Sequence, residues 1–323
     1  MKVVFMGTPE FSVPTLKTLI AKTQVMAVYT QPDKPVGRGL QMQPSPVKKL
    51  ALEHGLSVYT PEKVSIPEEI ERIKGLDVDF IVVVAYGQIL KLPVIQASKY
   101  GCINIHSSLL PRWRGAAPIQ WAILGGDSET GITTMMIAPK LDAGDILLQE
   151  KTAIAADDTA SSVHDRLSEI GAKLILPTLE GLKAGTVQPR VQDETKVTYA
   201  IKLTKEMENV DWSKSAREFD LAVRALNPWP GTKIETTSGL KIKVKKGKMF
   251  RADGAGVAGA LYTENGDLFI RCGQGIYQIF ELQEEGKKAV QTTDFLNGLK
   301  GRGILLPLEL RNTLENKARN TNA

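Results

Sequence analysis

The run DFIVVVAYG at residues 79–87 is apolar at almost every position and rich in β-branched side chains. A strand with one face in water alternates apolar and polar residues. A run without alternation therefore predicts a central parallel strand that is covered on both faces. Strand-like runs at 2–6, 24–30 and 101–106 alternate with helical patterns up to about residue 185. This alternation predicts an α/β fold with a doubly wound, mostly parallel sheet.

The pattern changes after Arg190. The polar stretch 190–208 has no clean helical period, and short strand-like runs joined by Gly-, Asn- and Asp-containing turns follow it. Such a succession is typical of a small β-barrel, of which the OB type is one candidate. A chain of 323 residues is also long enough for two domains. We therefore predict an α/β domain over 1–189, a linker over 190–208 and an OB-like barrel domain over 209–323.

Composition excludes several protein classes. With 42% hydrophobic and 24% charged residues, the chain is typical of soluble globular proteins, and no apolar run approaches the length of a membrane span. Cys102 and Cys272 give neither a disulfide framework nor zinc spacing, which favours a reducing cytoplasm. The net charge is +5, of which residues 191–323 contribute +4. This excess is compatible with a polyanionic partner but does not require one.

The stretch INIHSSLLPRWRG at 103–115 places two polar side chains at a predicted strand end. Asn104 and His106 are two residues apart, so in a strand both project to the same face. At the carboxyl end of a parallel strand that face borders the crevice where α/β proteins bind ligands. An Asn amide can stabilise an oxyanion, and an imidazole can exchange protons near neutral pH. Alternatively, Asn104 caps a turn and His106 is an ordinary polar residue, and the spacing does not decide.

The segment LDAGDILLQ at 141–149 offers a carboxylate for the same site. If Asp142 lies near His106, it would fix the tautomer of the imidazole and raise its basicity. A plain Asx turn before a strand is the alternative, and taken alone it is favoured. Two aspartates and one histidine could also suggest a metal site, but no ligand-spaced motif supports one.

Basic residues occur in two further places. The loop at 31–46 contains Lys34 and Arg38, and Arg38 lies between two glycines, where it could reach a phosphate or a base. Lys241, Lys243 and Lys245 alternate along a predicted strand and so share one face. A solvated loop and a charged sheet edge are the simpler interpretations of these two groups.

Together these motifs resemble the folate-dependent formyltransferase family. The shared pattern is Asn-x-His-x-Ser-Leu-Leu-Pro, then Arg-Gly, then Leu-Asp-x-Gly-Asp. Over nearly the whole length, MGTPEFSVP, QPDKPVGRG, SLLPRWRGAAPIQWAI and LNPWPGT are similar to the branch of that family that acts on methionyl-tRNA in bacteria and organelles. Among these, SLLPRWRGAAPIQ is the most specific.

The resemblance implies formyl transfer from 10-formyltetrahydrofolate to the amino group of methionine on initiator tRNA. It assigns Asn104, His106 and Asp142 to catalysis, with no metal, in a cytoplasmic monomer. It implies folate contacts from Ser108, Leu109, Leu110, Pro111, Val84, Ala85, Tyr86 and Gly87. With the basic pattern, it implies tRNA contacts from Arg38, Lys34, Lys241, Lys243 and Lys245 and a tRNA-binding role for the barrel domain.

Three alternatives remain open. A relative that formylates a sugar nucleotide or glycinamide ribonucleotide would share the three catalytic residues. For the sugar-nucleotide type, however, a Gly-x-Gly-x-x-Gly motif is expected after residue 190, and the sequence has none there. A non-catalytic RNA-binding protein would explain the basic residues but give no role to Asn104, His106 and Asp142. A folate hydrolase would release formate without any acceptor.

Overall fold

The computed structural model describes residues 1–36, 41–253 and 258–311. Arg38 and the tail 312–323 lie outside these residues. Two compact units make up the chain. Met1–Pro118, Ser128–Ala153 and Ser162–Ala200 form the first unit. Ile119–Asp127, Ile154–Ser161 and the chain from Ile201 onward form the second unit.

The first unit is built on a mixed seven-stranded sheet. The strands along the chain up to residue 200 are β1 Lys2–Gly7, β2 Gln24–Tyr29, β3 Lys34–Val36, β4 Gln41–Gln43, β5 Val58–Tyr59, β6 Phe80–Val84, β7 Cys102–His106, β8 Arg114–Gly115, β9 Glu129–Met136, β10 Ile146–Ala153 and β11 Tyr199–Ala200. The sheet order is β10-β9-β7-β6-β1-β2-β5, while β3 pairs with β4 and β8 with β11. The predicted mostly parallel sheet is confirmed, because all pairs from β7 to β5 are parallel.

Helices connect these strands. They are α1 Val13–Lys22, α2 Pro46–Glu53, α3 Pro67–Gly75, α4 Leu92–Ile95, α5 Pro118–Leu124 and α6 Ala160–Ala184, with 3-10 turns at Glu10–Ser12 and Glu194–Lys196. Local sequence fixes their starts: Ser45 caps α2 by accepting from the backbone N–H of Lys48 at 3.0 Å, and Pro67 opens α3. All five residues of β6 are buried, as expected for a central strand with both faces covered.

The far edge of this sheet differs from a purely parallel arrangement. β9 runs antiparallel to β7, and β10 antiparallel to β9. The sequence GITTMMIA does predict a strand, but strand direction depends on a chain reversal that local periodicity does not encode. β9 ends at Met136, which pairs with Ile103 at the start of β7, and the turn that follows places Asp142 Oδ2 3.8 Å from Nδ1 of His106 at the end of β7.

The second unit is a small β-barrel. Its elements are a 3-10 turn Lys205–Glu208, α7 Ala216–Leu226, β12 Thr232–Glu235, β13 Lys241–Arg251, β14 Ala260–Glu264, β15 Asp267–Arg271, β16 Ile276–Glu284, β17 Val290–Gln291, α8 Thr292–Gly301 and β18 Leu308–Glu309. The strand order is β12-β13-β16-β15-β14-β18, with β17 on β16. An antiparallel bridge between Thr236 and Leu310 joins the last strand back to the first and closes the barrel. The predicted small barrel is therefore confirmed.

Sequence explains how the barrel curves and fills. β13 is irregular at three points between Val244 and Arg251, and such bulges increase the bend of a strand. α7 begins at a capping box made by Ser215 and Glu218. Its Phe219 ring packs edge-on against Tyr277, with the ring centroids 4.9 Å apart, so that α7 contributes directly to the core of the barrel.

The predicted linker has more structure than its polar sequence indicates. Residues 190–200 belong to the first unit: Arg190 bridges to Ile146, and β11 pairs with β8. This segment has no helical or strand period because its contacts come from scattered side chains and one short strand. None of the helices within the described ranges has the length and apolar character that a bilayer crossing requires.

Candidate active site

Asn104 and His106 lie at the carboxyl end of β7, as the two-residue spacing predicts. Asn104 pairs with Val83 of β6 on one side and Met135 of β9 on the other. Its side chain is half-buried, and within the described residues its carboxamide has no hydrogen-bond partner. His106 is 6% exposed. An amide held by a central strand and left without an internal partner is available to a ligand.

The His106 ring is oriented by a backbone carbonyl. Its Nε2 lies 3.0 Å from the carbonyl oxygen of Trp113, and because a carbonyl can only accept, Nε2 carries a proton and donates it. Nδ1 faces Asp142, 3.8 Å from Oδ2. That distance exceeds a hydrogen bond, but it lets the carboxylate stabilise the positive charge of the ring once Nδ1 is protonated. The sequence suggested that Asp142 fixes the tautomer, whereas the structure gives this role to Trp113.

Asp142 is held by the strand that follows the SLLP segment. The backbone N–H of Gly115 donates to Asp142 Oδ2 at 2.9 Å. Asp142 has a φ of +46°, in the left-handed region that non-glycine residues rarely adopt. Gly115 itself has a φ of +125°, and a Cβ there would lie 2.5 Å from the carbonyl oxygen of Ala200. Glycine is therefore required at the donor position.

A buried polar network lies behind this turn. Arg114 is fully buried, and its Nε donates to Gln192 Oε1 at 3.0 Å while Nη2 donates to Glu194 Oε1 at 2.7 Å. Gln192 Nε2 donates to the carbonyls of Asp142 and Gly144 at 2.8 and 2.7 Å. Hydrogen bonds from Arg114 and Lys140 lower the pKa of Glu194 to about 2, so this carboxylate is ionised at neutral pH.

The SLLP segment at 108–111 is organised around Thr133 of β9. The Thr133 hydroxyl donates to the carbonyl of Ser108 at 2.7 Å and accepts from the backbone N–H of Leu110 at 3.1 Å. Gln149 Nε2 donates to both Thr133 Oγ1 and the carbonyl of Leu110, each at 2.9 Å. Ser108 is buried and donates to the carbonyl of Arg112 at 2.6 Å. These bonds fix the backbone of the predicted folate-binding turn.

The predicted pterin segment Val84–Gly87 follows β6, the strand next to β7. Ser12 Oγ donates to the carbonyl of Val84 at 2.6 Å, and Thr8 Oγ1 donates to that of Tyr86 at 2.9 Å. Ala85 adopts a φ of +46°, which turns the chain sharply at the strand end. Tyr86 is buried in the apolar core, where burial raises the pKa of its hydroxyl well above the usual range. Leu109 and Pro111 are half-buried beside this edge of the sheet.

The predicted tRNA-binding residues are scattered. Lys34 is exposed on the β3–β4 hairpin, and Arg38 lies outside the described residues. In the second unit, Lys241 Nζ lies 3.3 Å from Glu285 Oε2, and Lys243 Nζ lies 3.2 Å from Glu208 Oε2. Within the described part of the chain, Lys245 has no ion-pair partner. The three lysines therefore share a strand but not an environment.

Sequence reasoning missed several residues of this site. Thr133 and Gln149 lie on β9 and β10, and Gln192 lies in the segment that was predicted to be a linker. Arg114 had no assigned role. Single polar residues in strands and loops carry no motif, so only the fold identifies them. For Arg114, its place directly before Gly115 in the motif was the one available signal.

Comparison with known proteins places this arrangement in a family. The sequence profile described as Formyl transferase matches residues 1–179, and that described as Formyl transferase, C-terminal domain, matches residues 202–300. The methionyl-tRNA formyltransferase of Methylococcus capsulatus is 48% identical over 298 residues, which are 92% of this chain and 96% of that protein. The chain belongs to the methionyl-tRNA formyltransferase family. The family member from Citrifermentans bemidjiense is 48% identical over 305 residues, covering 93% of this chain and 94% of that protein.

Solved structures share the fold at lower identity. The N-formyltransferase from Helicobacter canadensis, in complex with folinic acid and dTDP-3-aminofucose, is 19% identical with a TM-score of 0.64, over 88% of this chain and 99% of that one. HypX from Aquifex aeolicus, in complex with tetrahydrofolic acid, is 16% identical with a TM-score of 0.63, over 96% of this chain and 51% of that one. The predicted membership of the folate-dependent formyltransferase family is confirmed by the family profiles and relatives.

Proposed function

We propose that the chain transfers the formyl group of 10-formyltetrahydrofolate to the amino group of initiator methionyl-tRNA, with Asn104, His106 and Asp142 as its catalytic residues. The observation that carries this proposal is the juxtaposition of an amide without a partner among the described residues, an oriented imidazole and a carboxylate at the end of β7. It occurs in a chain that is 48% identical to methionyl-tRNA formyltransferases over most of its length.

The first chemical step is attack of the methionine amine on the formyl carbon. A carbon–nitrogen bond forms, and the formyl oxygen takes up the negative charge of a tetrahedral intermediate. Asn104 donates a hydrogen bond to this oxygen from a position fixed by β7. A preorganised donor of this kind typically contributes about 3 to 4 kcal/mol to transition-state stabilisation.

His106 and Asp142 manage the proton that the amine loses. Because Nε2 is committed to Trp113, the free nitrogen Nδ1 is the atom that can accept a proton. The imidazolium that results lies 3.8 Å from Asp142 Oδ2, so the carboxylate stabilises its charge. Proton return to the folate nitrogen then accompanies cleavage of its bond to the formyl carbon, which releases tetrahydrofolate. No metal ion takes part in this scheme.

The folate is assigned to the loops that follow two adjacent parallel strands. Val84–Gly87 follows β6 and Ser108–Pro111 follows β7, and pairing of Val83 with Asn104 keeps these strand ends side by side. Ligands of α/β sheets bind in the crevice at the carboxyl ends of the strands. The hydrogen bonds from Thr133 and Ser12 give both loops a defined backbone before any ligand binds. Such preorganisation supports a site for a rigid bicyclic ring.

The tRNA is assigned to the Arg38 loop and to the barrel. The division of roles stays a proposal, with a catalytic domain at 1–189, a tRNA-binding domain at 209–323 and between them the segment 190–208, of which residues 190–200 belong to the first unit. Of the four predicted tRNA-binding lysines, Lys34 and Lys245 have no ion pair within the described residues, so they support phosphate contacts better than Lys241 or Lys243. We also propose that the protein is a monomer in the cytoplasm. Its two buried free cysteines are compatible with a reducing compartment.

The proposal is tested with a panel of acceptors and formyl-labelled 10-formyltetrahydrofolate. We expect label to appear in charged initiator tRNA and not in uncharged tRNA, with elongator methionyl-tRNA a much poorer acceptor. A 3-aminosugar nucleotide tests the alternative that the Helicobacter canadensis fold relative raises. Transfer to the sugar amine alone would overturn the proposed substrate, and release of formate without acceptor would overturn transfer itself.

A further inference from the structure

Three polar side chains form a continuous chain of hydrogen bonds behind the Asp142 turn. Gln192 is 4% exposed, and both hydrogens of its amide are used: Nε2 donates to the carbonyls of Asp142 at 2.8 Å and Gly144 at 2.7 Å. Its Oε1 accepts from Arg114 Nε at 3.0 Å. Arg114 is in turn paired with Glu194 at 2.7 Å. One amide therefore connects the turn to a buried guanidinium.

The turn needs such support because its backbone is strained. Asp142 has a φ of +46°, a conformation that a side-chain-bearing residue keeps only where the surrounding structure over-determines it. The two carbonyls that Gln192 binds belong to Asp142 itself and to Gly144. Without these bonds the turn can relax, and the carboxylate of Asp142 would leave its position 3.8 Å from His106 Nδ1.

The same segment also fixes the group that holds the carboxylate. Gly115, whose N–H donates to Asp142 Oδ2, pairs with Ala200 in the β8–β11 ladder. Gln192 and Ala200 both belong to the segment 192–200. This segment therefore fixes Asp142 through its backbone at one end and through the donor of its carboxylate at the other.

We propose that Gln192 is a positioning residue for formyl transfer, which holds the Asp142 turn so that the carboxylate stays beside His106. The inference rests on the proposed function, because it concerns the same catalytic group. Gln192 acts through Asp142 and does not contact the reacting atoms. Its contribution is geometric, so its loss changes the rate of the bound complex more than the binding of either substrate.

The test uses the substitution Gln192→Glu in the full chain. Glutamate has the same shape and can still accept from Arg114, but it replaces the donating amide with an oxygen that faces two carbonyls. We expect kcat for formyl transfer to methionyl-tRNA to fall about 10- to 100-fold, with KM for 10-formyltetrahydrofolate within about threefold of wild type. Gln192→Met, which removes the donors without adding charge, should show the same pattern. Gln96→Glu, at an exposed position of the first unit, is the matched control.

A double-mutant cycle separates positioning from general stability. In an Asp142→Asn background, measured under single turnover, Gln192→Glu should cause little further loss, because the carboxylate it positions is already absent. Equal fractional losses in both backgrounds, or wild-type kcat in both Gln192 variants, would overturn the inference while leaving the proposed function intact. Failure of the wild-type protein to formylate methionyl-tRNA would instead refute the proposed function, and the inference with it.

Discussion

Arg114 in the first unit and Glu208 in the second are both buried charges, but their partners serve different ends. Arg114 is a cation that donates to Gln192 and Glu194, and Gln192 also holds the Asp142 turn. Glu208 is an anion whose carboxylate lies within 3.2 Å of the ammonium groups of Lys205, Lys233 and Lys243. The first cluster, around Arg114, supports the Asp142 turn of the candidate active site. The second cluster, around Glu208, neutralises the charge of three lysines.

The difference shows that the charge of a sequence is not the charge available to a partner. Residues 191–323 carry a net charge of +4, yet Lys243 is committed to Glu208 and to the carbonyl of Pro230, and Lys241 to Glu285. Burial alone would raise the pKa of Glu208, but the three lysines around it lower that pKa to about 2. The pair Glu208–Lys243 is therefore part of the fold of the barrel before any polyanion binds.

The largest effect is expected at the turn that the first cluster supports. Asp142→Asn keeps the shape and an acceptor for Gly115 N–H but removes the negative charge beside His106. We expect kcat for formyl transfer to fall about 10²- to 10⁴-fold. Asp145→Asn, three residues later in the same turn, is the control and should remain close to wild type. Near-normal turnover in Asp142→Asn would remove this carboxylate from the chemistry.

The second cluster should affect stability and its dependence on pH. Because the folded pKa of Glu208 is lowered to about 2, its contribution is fully present above about pH 4.5 and is lost as the pH falls toward 2. Glu208→Gln should lower the free energy of unfolding of the barrel by on the order of 2 kcal/mol at pH 7, and the difference should disappear near pH 2. Calorimetry across this range measures it, with the exposed Glu264→Gln as control. A deficit that does not change with pH would contradict the assignment.

The smallest effect is expected at Lys245, the predicted tRNA-binding lysine of β13 that has no ion pair in the described part of the chain. Lys245→Ala should reduce the slope of log affinity for tRNA against log salt by about 1, as expected for one lost phosphate contact. Lys243→Ala should lower the stability of the barrel and leave the salt slope unchanged, because its charge is already neutralised by Glu208. A binding titration over several salt concentrations compares the two. Equal slopes would show that ion pairing does not decide which lysine binds.

How far the sequence predicts this molecule depends on the range of each interaction. The continuous apolar run of β6 predicts a strand buried on both faces, and the two-residue spacing of Asn104 and His106 predicts that they share one face of a strand. Both patterns are local, and both strands lie in the sheet as predicted. The antiparallel direction of β9 and the ion pair of Lys243 depend on residues far away along the chain. Gln192 is unrecognisable in a polar stretch, because its role comes from three partners that only the fold assembles.

The most direct test of the account is single-turnover formyl transfer by the wild-type protein and Asn104→Ala, with excess enzyme, labelled 10-formyltetrahydrofolate and charged initiator tRNA. The central claim is that Asn104 stabilises charge that exists only during the reaction. The variant should therefore bind both substrates normally yet transfer the label about 100-fold or more slowly. Transfer at the wild-type rate would contradict the claim, as would a loss explained entirely by weaker binding.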